Sequence, residues 1–143
     1  KFEAFGGLVP SCEKKDVLGI LYPAACFAGR APEGGTLFSF FIGGVKHAGL
    51  TTWPEDELKA LIRHELHAML KFPEEAEPDM IRIFRHEHAI PQYEQSSGAR
   101  FATIDELQAR YPGLTLAGNI KGGIGMADRI RQATEIANSL INK

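Results

Sequence analysis

The sequence predicts an α+β fold: an antiparallel sheet with packed helices, followed by a late strand, turn and helix. Three observations carry this. Three apolar, strand-sized runs come first, joined by short connections that favour antiparallel pairing. The hydrophobic period then changes from strand-like to helical after Thr52. Near the end, "LAGNIKGGIGMADRI" (residues 116–130) places four glycines ahead of a further helical pattern.

Each element has a local reason. "FGGLVPS" (residues 5–11) reads as a short strand closed by Pro10, and "DVLGILYPAACF" (16–27) as a strand ending at Pro23. "GRAPEGG" (29–35) is a loop by its Gly and Pro content. "TLFSFFIGG" (36–44) is a third strand, rich in aromatic residues. The continuous apolar runs predict burial on both faces of the sheet. Thr52-Trp53-Pro54-Glu55 has the form of a capping box. Leu58, Leu61, Ile62, Leu66, Met69 and Leu70 then follow at the spacing of an amphipathic helix of about four turns.

"PEEAEPD" (73–79) is an acidic loop, "MIRIFRH" (80–86) a fourth strand, and "AIPQYEQ" extended chain around Pro91. Phe101, Ile104, Leu107 and Tyr111 mark a second helix that Pro112-Gly113 stops. "LTLAG" (114–118) is a short buried strand. Met126, Ile130, Ala133, Ala137, Leu140 and Ile141 form the apolar stripe of the last helix. There is no internal repeat and no low-complexity linker.

The 143 residues suit one ordinary domain, and 44% apolar with 24% charged residues is a globular balance. A net charge of -2 and the lack of a basic run argue against a nucleic-acid binder. No apolar run approaches a membrane span. No signal-peptide pattern stands at Lys1, and there is no initiator Met, so a processed or excised chain is expected. Cys12 and Cys26 form no CxxC pair and are expected to be buried free thiols in a reducing compartment.

A strand, a glycine turn and a helix start make a device for binding anions. Glycine allows positive φ and close approach of the backbone. The first N–H groups of a helix lack internal partners, and the helix dipole adds partial positive charge there. Gly122, Gly123 and Gly125 sit where that geometry needs them. As a dinucleotide fingerprint the match is incomplete, because Asp128 stands where a third glycine belongs and no second strand follows. A tight turn with no ligand fits this stretch equally well. Asp128 favours the first helical turn.

His64 and His67 in "RHELHAML" are one residue short of HExxH spacing and flank the apolar stripe, so solvated surface is expected and no metal site. His86 and His88 are expected to face water. No nucleophile or acid–base dyad stands out, so no catalytic residue is assigned.

"FGGLVPS", "DVLGILY", "FAGRAPEGGTLFSFFIGG", "AIPQYE" (89–94) and "PGLTLAGNIKGGIGMADRI" occur in one order over nearly the whole chain. In that order and spacing the chain resembles the C-terminal part of porphyrinogen-oxidising members of the flavin-dependent amine oxidase superfamily. Members often carry Gly-His after the IPQY segment, where this chain has "EQSSGARF"; an aromatic or basic residue often precedes AIPQY, where it has His88.

The resemblance implies a division into residues 1–112, a substrate-domain portion, and 113–143, the final strand, turn and helix of a split FAD-binding Rossmann domain whose N-terminal part is absent. It implies FAD as cofactor of the full-length protein, not held by this chain alone. It implies oxidation of protoporphyrinogen in heme biosynthesis, with oxygen or another electron acceptor as partner. Coproporphyrinogen, an amine or a carotenoid is the alternative substrate. A stand-alone domain that binds no flavin is the non-catalytic alternative. Gly118, Asn119, Gly123, Ile124, Gly125 and Met126 are the implied cofactor contacts, with Gly125 and Met126 N–H groups facing the pyrimidine end of the flavin. Asn119 is either a ribitol or phosphate contact or a turn residue. Arg30 either pairs with a propionate or is a surface loop residue, and Tyr93 either approaches the flavin and substrate or packs in the core. A cytoplasmic setting, with peripheral membrane attachment and homo-oligomerisation left open, completes the expectation.

Overall fold

β1 (Gly6–Leu8), β2 (Val17–Leu21) and β3 (Ser39–Ile42) form an antiparallel sheet in the order β1-β2-β3. They belong to a computed structural model that describes residues 2–141 and falls into two compact units, Lys1–His86 and Glu87–Lys143. Mixed helix and antiparallel sheet is the expected α+β character.

The register explains which strand side chains are buried. Ile20 pairs with Gly7 and Phe40, Gly19 with Leu8 and Phe41, and Val17 with Ile42. The pairing slips between Val17 and Gly19, so Leu18 is an extra residue. Such a bulge shifts the alternation by one. Val17 and Ile20, three apart, therefore share a face with Phe40 and Ile42, and both are nearly inaccessible, at 1% and 2% exposure. The opposite face carries Leu8 and Phe41, which are 86% and 47% exposed. The expectation of burial on both faces is corrected: an apolar run shows that a strand can be covered twice, not that it is.

Helix α1 (Pro23–Cys26) follows β2 directly. Pro23 opens this turn of helix, which suits a residue with fixed φ and no N–H. A 3-10 segment, Val45–Thr52, leads into helix α2 (Glu55–Leu70), the helix expected from the apolar spacing. The expected capping box does not form. Pro54 is the N-cap without a side-chain cap, and Thr52 Oγ1 donates to Gly49 O at 2.9 Å instead. Glu55, Asp56 and Glu57 supply negative charge to the first turn. Lys71 ends the helix in the left-handed conformation.

Phe72 follows Lys71 and joins Phe2, Tyr22 and Phe38, with ring centroids 5.0 to 5.8 Å apart. Leu58 and Leu66 of α2 are buried. Glu65 is also buried, at 3% exposure, and Lys15 Nζ reaches its two carboxylate oxygens at 3.1 and 2.8 Å.

The expected fourth strand is not present as a strand. Residues 80–86 have no regular secondary structure and join no ladder. Arg85 fixes the segment instead, donating to Thr51 O at 2.5 Å and Trp53 O at 2.8 Å. Ile81 and Ile83 are half-buried while Met80 and Phe84 are exposed. That alternation reads as a strand in sequence, although it names no partner strand.

In the second unit, α3 (Ser97–Arg110) and α4 (Met126–Ile141) flank an irregular connection. The expected buried strand at 114–118 is neither buried nor in a ladder; Leu114 is exposed. Glutamine side chains satisfy its backbone: Leu116 N–H donates to Gln108 Oε1 and Gly118 N–H to Gln132 Oε1, both at 2.9 Å. Cys12 and Cys26 are free but exposed, correcting the expectation of buried thiols; they lie at the surface turns flanking β2. No helix among the described residues is long and apolar enough to cross a membrane.

Candidate cofactor-binding turn

The glycine turn lies wholly in the second unit, between the end of α3 and the start of α4. Gly118, Gly122 and Gly123 have positive φ, at 118°, 83° and 104°. The requirement is strictest at Gly123, where a Cβ would overlap the Asp128 carboxylate in addition to the backbone cost. Gly125 has no such φ; a Cβ there would lie 3.2 Å from Asp128 Oδ2, a tight contact. Gly123 and Gly125 are therefore needed for different reasons.

Tyr93, from the "IPQY" segment, reaches this turn. Its hydroxyl lies 2.8 Å from Asn119 O and 3.1 Å from Gly123 O, and its one proton is shared between the two carbonyls. Its ring meets Phe101 of α3 edge-on at 5.7 Å and remains 45% exposed. Two of the five segments that carry the resemblance are thus joined by hydrogen bonds. Lys121 Nζ pairs with Asp105 Oδ1 of α3 at 2.5 Å. Asn119 contributes its backbone carbonyl to these contacts, and its side chain lies at the surface.

Two residues not anticipated as site residues complete the turn. Arg129 donates to Gly118 O through Nη1 and to Lys121 O through Nη2 at 3.2 Å. Gln132 accepts from Gly118 N–H and donates to Lys121 O at 3.3 Å. The sequence does carry a signal for them: two long polar side chains three residues apart in the first turns of α4, beside an apolar stripe that points elsewhere.

Ile124, Gly125 and Met126 are exposed, and Met126 is 80% so. The first helical N–H groups stand at this exposed end, and Arg129 N–H is bonded to Gly125 O at 3.1 Å. A donor-rich, glycine-lined helix start fits the acceptor edge of a flavin ring. The Asp128 carboxylate beside Gly123 and Gly125 opposes a phosphate at the same spot.

The remaining candidates lie apart from this turn in chain and unit. Arg30 is exposed in the first unit, its guanidinium 5.7 Å over the Phe27 ring. His64 and His67 line a shallow hollow of about 550 Å³ with Lys71, Phe72 and Glu74. His67 Nδ1 is 3.2 Å from Phe72 O. No group of three or more potential metal ligands occurs among the described residues. A second hollow, of about 400 Å³, is lined by Tyr93, Arg100, Phe101 and Ile120, close to the glycine turn.

Residues 1–141 match the family model described as flavin containing amine oxidoreductase. The chain is 32% identical to protoporphyrinogen oxidase 2, chloroplastic/mitochondrial, of Arabidopsis thaliana, over 98% of this chain and 28% of the relative. It is 30% identical to the mitochondrial protoporphyrinogen oxidase of Nicotiana tabacum, over the same shares. It is 31% identical to coproporphyrinogen III oxidase of Propionibacterium freudenreichii, over 88% of this chain and 24% of the relative. The chain thus spans about a quarter of the length of these relatives.

Proposed function

We propose that this chain is part of an FAD-dependent oxidase of porphyrinogens, because it belongs to the family of flavin containing amine oxidoreductases. The observation that carries the reading is the identity of about 30% with plant protoporphyrinogen oxidases across 98% of the chain, glycine turn included. Protoporphyrinogen is the substrate this favours, since the match to coproporphyrinogen III oxidase covers less of the chain.

In this reading residues 113–143 return to a flavin-binding domain supplied by the rest of the polypeptide, and residues 1–112 belong to the substrate domain. Two features support it. The chain at 114–118 pairs with no strand among the described residues, and the α4 stripe, Met126, Ile130, Leu140 and Ile141, is exposed in the second unit. A helix with such a stripe is built to be covered.

Acceptance of hydride from the porphyrinogen and its delivery as electrons to oxygen or another acceptor is the chemistry FAD supplies when bound. The chain's own part is to bind and orient. Backbone N–H groups of Gly125 and Met126 hold the electron-rich ring edge, and the α4 dipole favours negative charge there. Gly118, Asn119, Gly123 and Ile124 shape the turn. The Arg30 guanidinium, with no carboxylate partner among the described residues, is suited to a propionate. Tyr93 offers the exposed part of its ring to the substrate while its hydroxyl holds the turn.

The test is to express the complete polypeptide and measure bound flavin and porphyrin fluorescence. Gly125→Val should lose both together, since its side chain adds bulk at the ring edge and presses on Asp128. His64→Ala and His67→Ala should leave both nearly unchanged. The isolated 143-residue chain should purify without flavin. Retention of flavin and rate by Gly125→Val, with loss in a histidine variant, would place the site elsewhere.

A further inference from the structure

We propose that Arg129 and Gln132 are positioning residues that turn the 118–123 segment into a surface of hydrogen-bond donors. This rests on the flavin reading above and assigns roles that the family match does not. Between them the two side chains take up both backbone groups of Gly118 and the carbonyl of Lys121. They also bond to each other, Arg129 Nη1 donating to Gln132 Oε1 at 2.7 Å. Tyr93 takes the carbonyls of Asn119 and Gly123 from the side.

The consequence follows from counting acceptors. Four backbone carbonyls in this segment (Gly118, Asn119, Lys121 and Gly123) are engaged by the protein's own side chains. The clamp spends only one backbone N–H, that of Gly118. Every other N–H of the segment is left out of it. A turn treated this way meets a ligand with donors and withholds acceptors, which suits a ring edge of carbonyl and imine acceptors. Order in the turn before the ligand arrives also lowers the entropy cost of binding.

Arg129 can do this because it spans two carbonyls with one planar fork, which a lysine cannot. Its Nε is buried without a partner, so the Nη bonds alone hold the guanidinium. Arg129→Ala therefore frees the Gly118 carbonyl and leaves the Lys121 carbonyl to Gln132 alone, and Gln132→Ala removes that second grip.

The experiment compares wild type, Arg129→Lys, Arg129→Ala and Gln132→Ala in the complete polypeptide, with Gly125→Val as the control for the flavin reading. FAD dissociation constants are measured by fluorescence, and backbone amide exchange over residues 118–125 is measured in flavin-free protein. Arg129→Ala is expected to raise exchange and weaken FAD about tenfold, with Arg129→Lys nearer to Ala than to wild type and Gln132→Ala smaller. Faster exchange with an unchanged FAD constant would reduce the clamp to a structural role and overturn the proposal, as would unchanged exchange. A wild-type polypeptide that binds no FAD, or a Gly125→Val that binds it normally, would instead sink the flavin reading and this inference with it. Wild-type and Gly125→Val behaviour as expected with an inert Arg129→Ala would sink the inference alone.

Discussion

The two units of this chain are ordered by different physics. Among the described residues, all five buried apolar side chains, Val17, Ile20, Leu50, Leu58 and Leu66, belong to the first unit. The second unit buries only Ser97 to the same degree. What it has instead is a set of side chain to backbone hydrogen bonds from Tyr93, Gln108, Arg129 and Gln132. A core of apolar surface supplies stability that does not depend on another element. Polar clamps supply little net stability, because each bond replaces one to water, but they fix geometry. The unit that would contact a cofactor is thus the one that is shaped without being strongly stabilised, as expected of segments used for binding.

The largest expected effect tests that division. Ile20→Ala removes a fully buried side chain from the bulged strand and should destabilise the chain by about 2–5 kcal/mol. Ile130→Ala, on the exposed stripe of α4, should change it by less than about 0.5 kcal/mol. Urea denaturation of the 143-residue chain measures both. In the complete polypeptide the second value should rise several-fold, if α4 docks there as proposed. Equal effects of Ile130→Ala in the two contexts would break the comparison.

A second prediction concerns Glu65, the one buried charge among the described residues of the first unit. Lys15 is partly exposed, with a side chain 28% accessible, whereas the Glu65 side chain is 4% accessible. Removing either partner is therefore not equivalent. Lys15→Met leaves a buried carboxylate without its cation and should cost about 2–3 kcal/mol, less than the loss of a fully buried pair. Glu65→Gln leaves an ammonium that can turn to water, and should cost less than half as much. A larger loss for Glu65→Gln in thermal or urea unfolding would contradict the reading of the pair.

How far the sequence disclosed all this follows the same divide. The helix Glu55–Leu70 was legible because six apolar residues at helical spacing leave no other way to bury them. The first three strands were legible from composition and short connections. The bulge at Leu18 was not, since one extra residue leaves no mark in an apolar run, yet it decides that Val17 and Ile20 share a face. Residues 80–86 and 114–118 show the opposite failure: alternation or apolarity signals extended chain, and a ladder needs a partner that the local sequence does not name. The glycine turn was visible as a turn; of Gly122, Gly123 and Gly125, expected to meet its geometry, the first two have positive φ and Gly125 does not, while Gly118 does. The clamp was marked only by two long polar side chains beside the α4 stripe, and its targets were not legible, because Arg129 and Gln132 act on residues eight to fourteen positions earlier.

A third, smaller effect is expected in the second unit. Tyr93→Phe removes a hydroxyl whose proton is shared by Asn119 O and Gly123 O, so one bond's worth is lost, about 0.5–1.5 kcal/mol. The ring contact with Phe101 should persist. The measurable sign is local: faster amide exchange in the turn, with the urea midpoint of the first unit unmoved. A shift in that midpoint would mean the two units share stability more than their separate interactions suggest.

The smallest effect lies at the start of α2 and separates charge from packing within the first unit. The Lys59 ammonium donates to Glu55 and attracts its carboxylate, with a lesser pull from Arg85, and this holds the Glu55 carboxyl below its ordinary 4.5. The pair is one helical turn apart at 2.7 Å. A depressed carboxyl contributes stability above its unfolded-state pKa, and that contribution is lost as pH falls through the lower folded-state value. Glu55 is fully exposed, so solvent screens the pair and the gain is confined to fraying of the first turn. Lys59→Ala should move the Glu55 titration midpoint, followed by its side-chain carboxyl carbon resonance, upward toward 4.5. The acid-side loss of α2 helicity should begin at correspondingly higher pH, while the buried residues of the sheet stay unperturbed. A Glu55 midpoint that does not move in Lys59→Ala would assign the depression to the helix start and its dipole rather than to the ion pair.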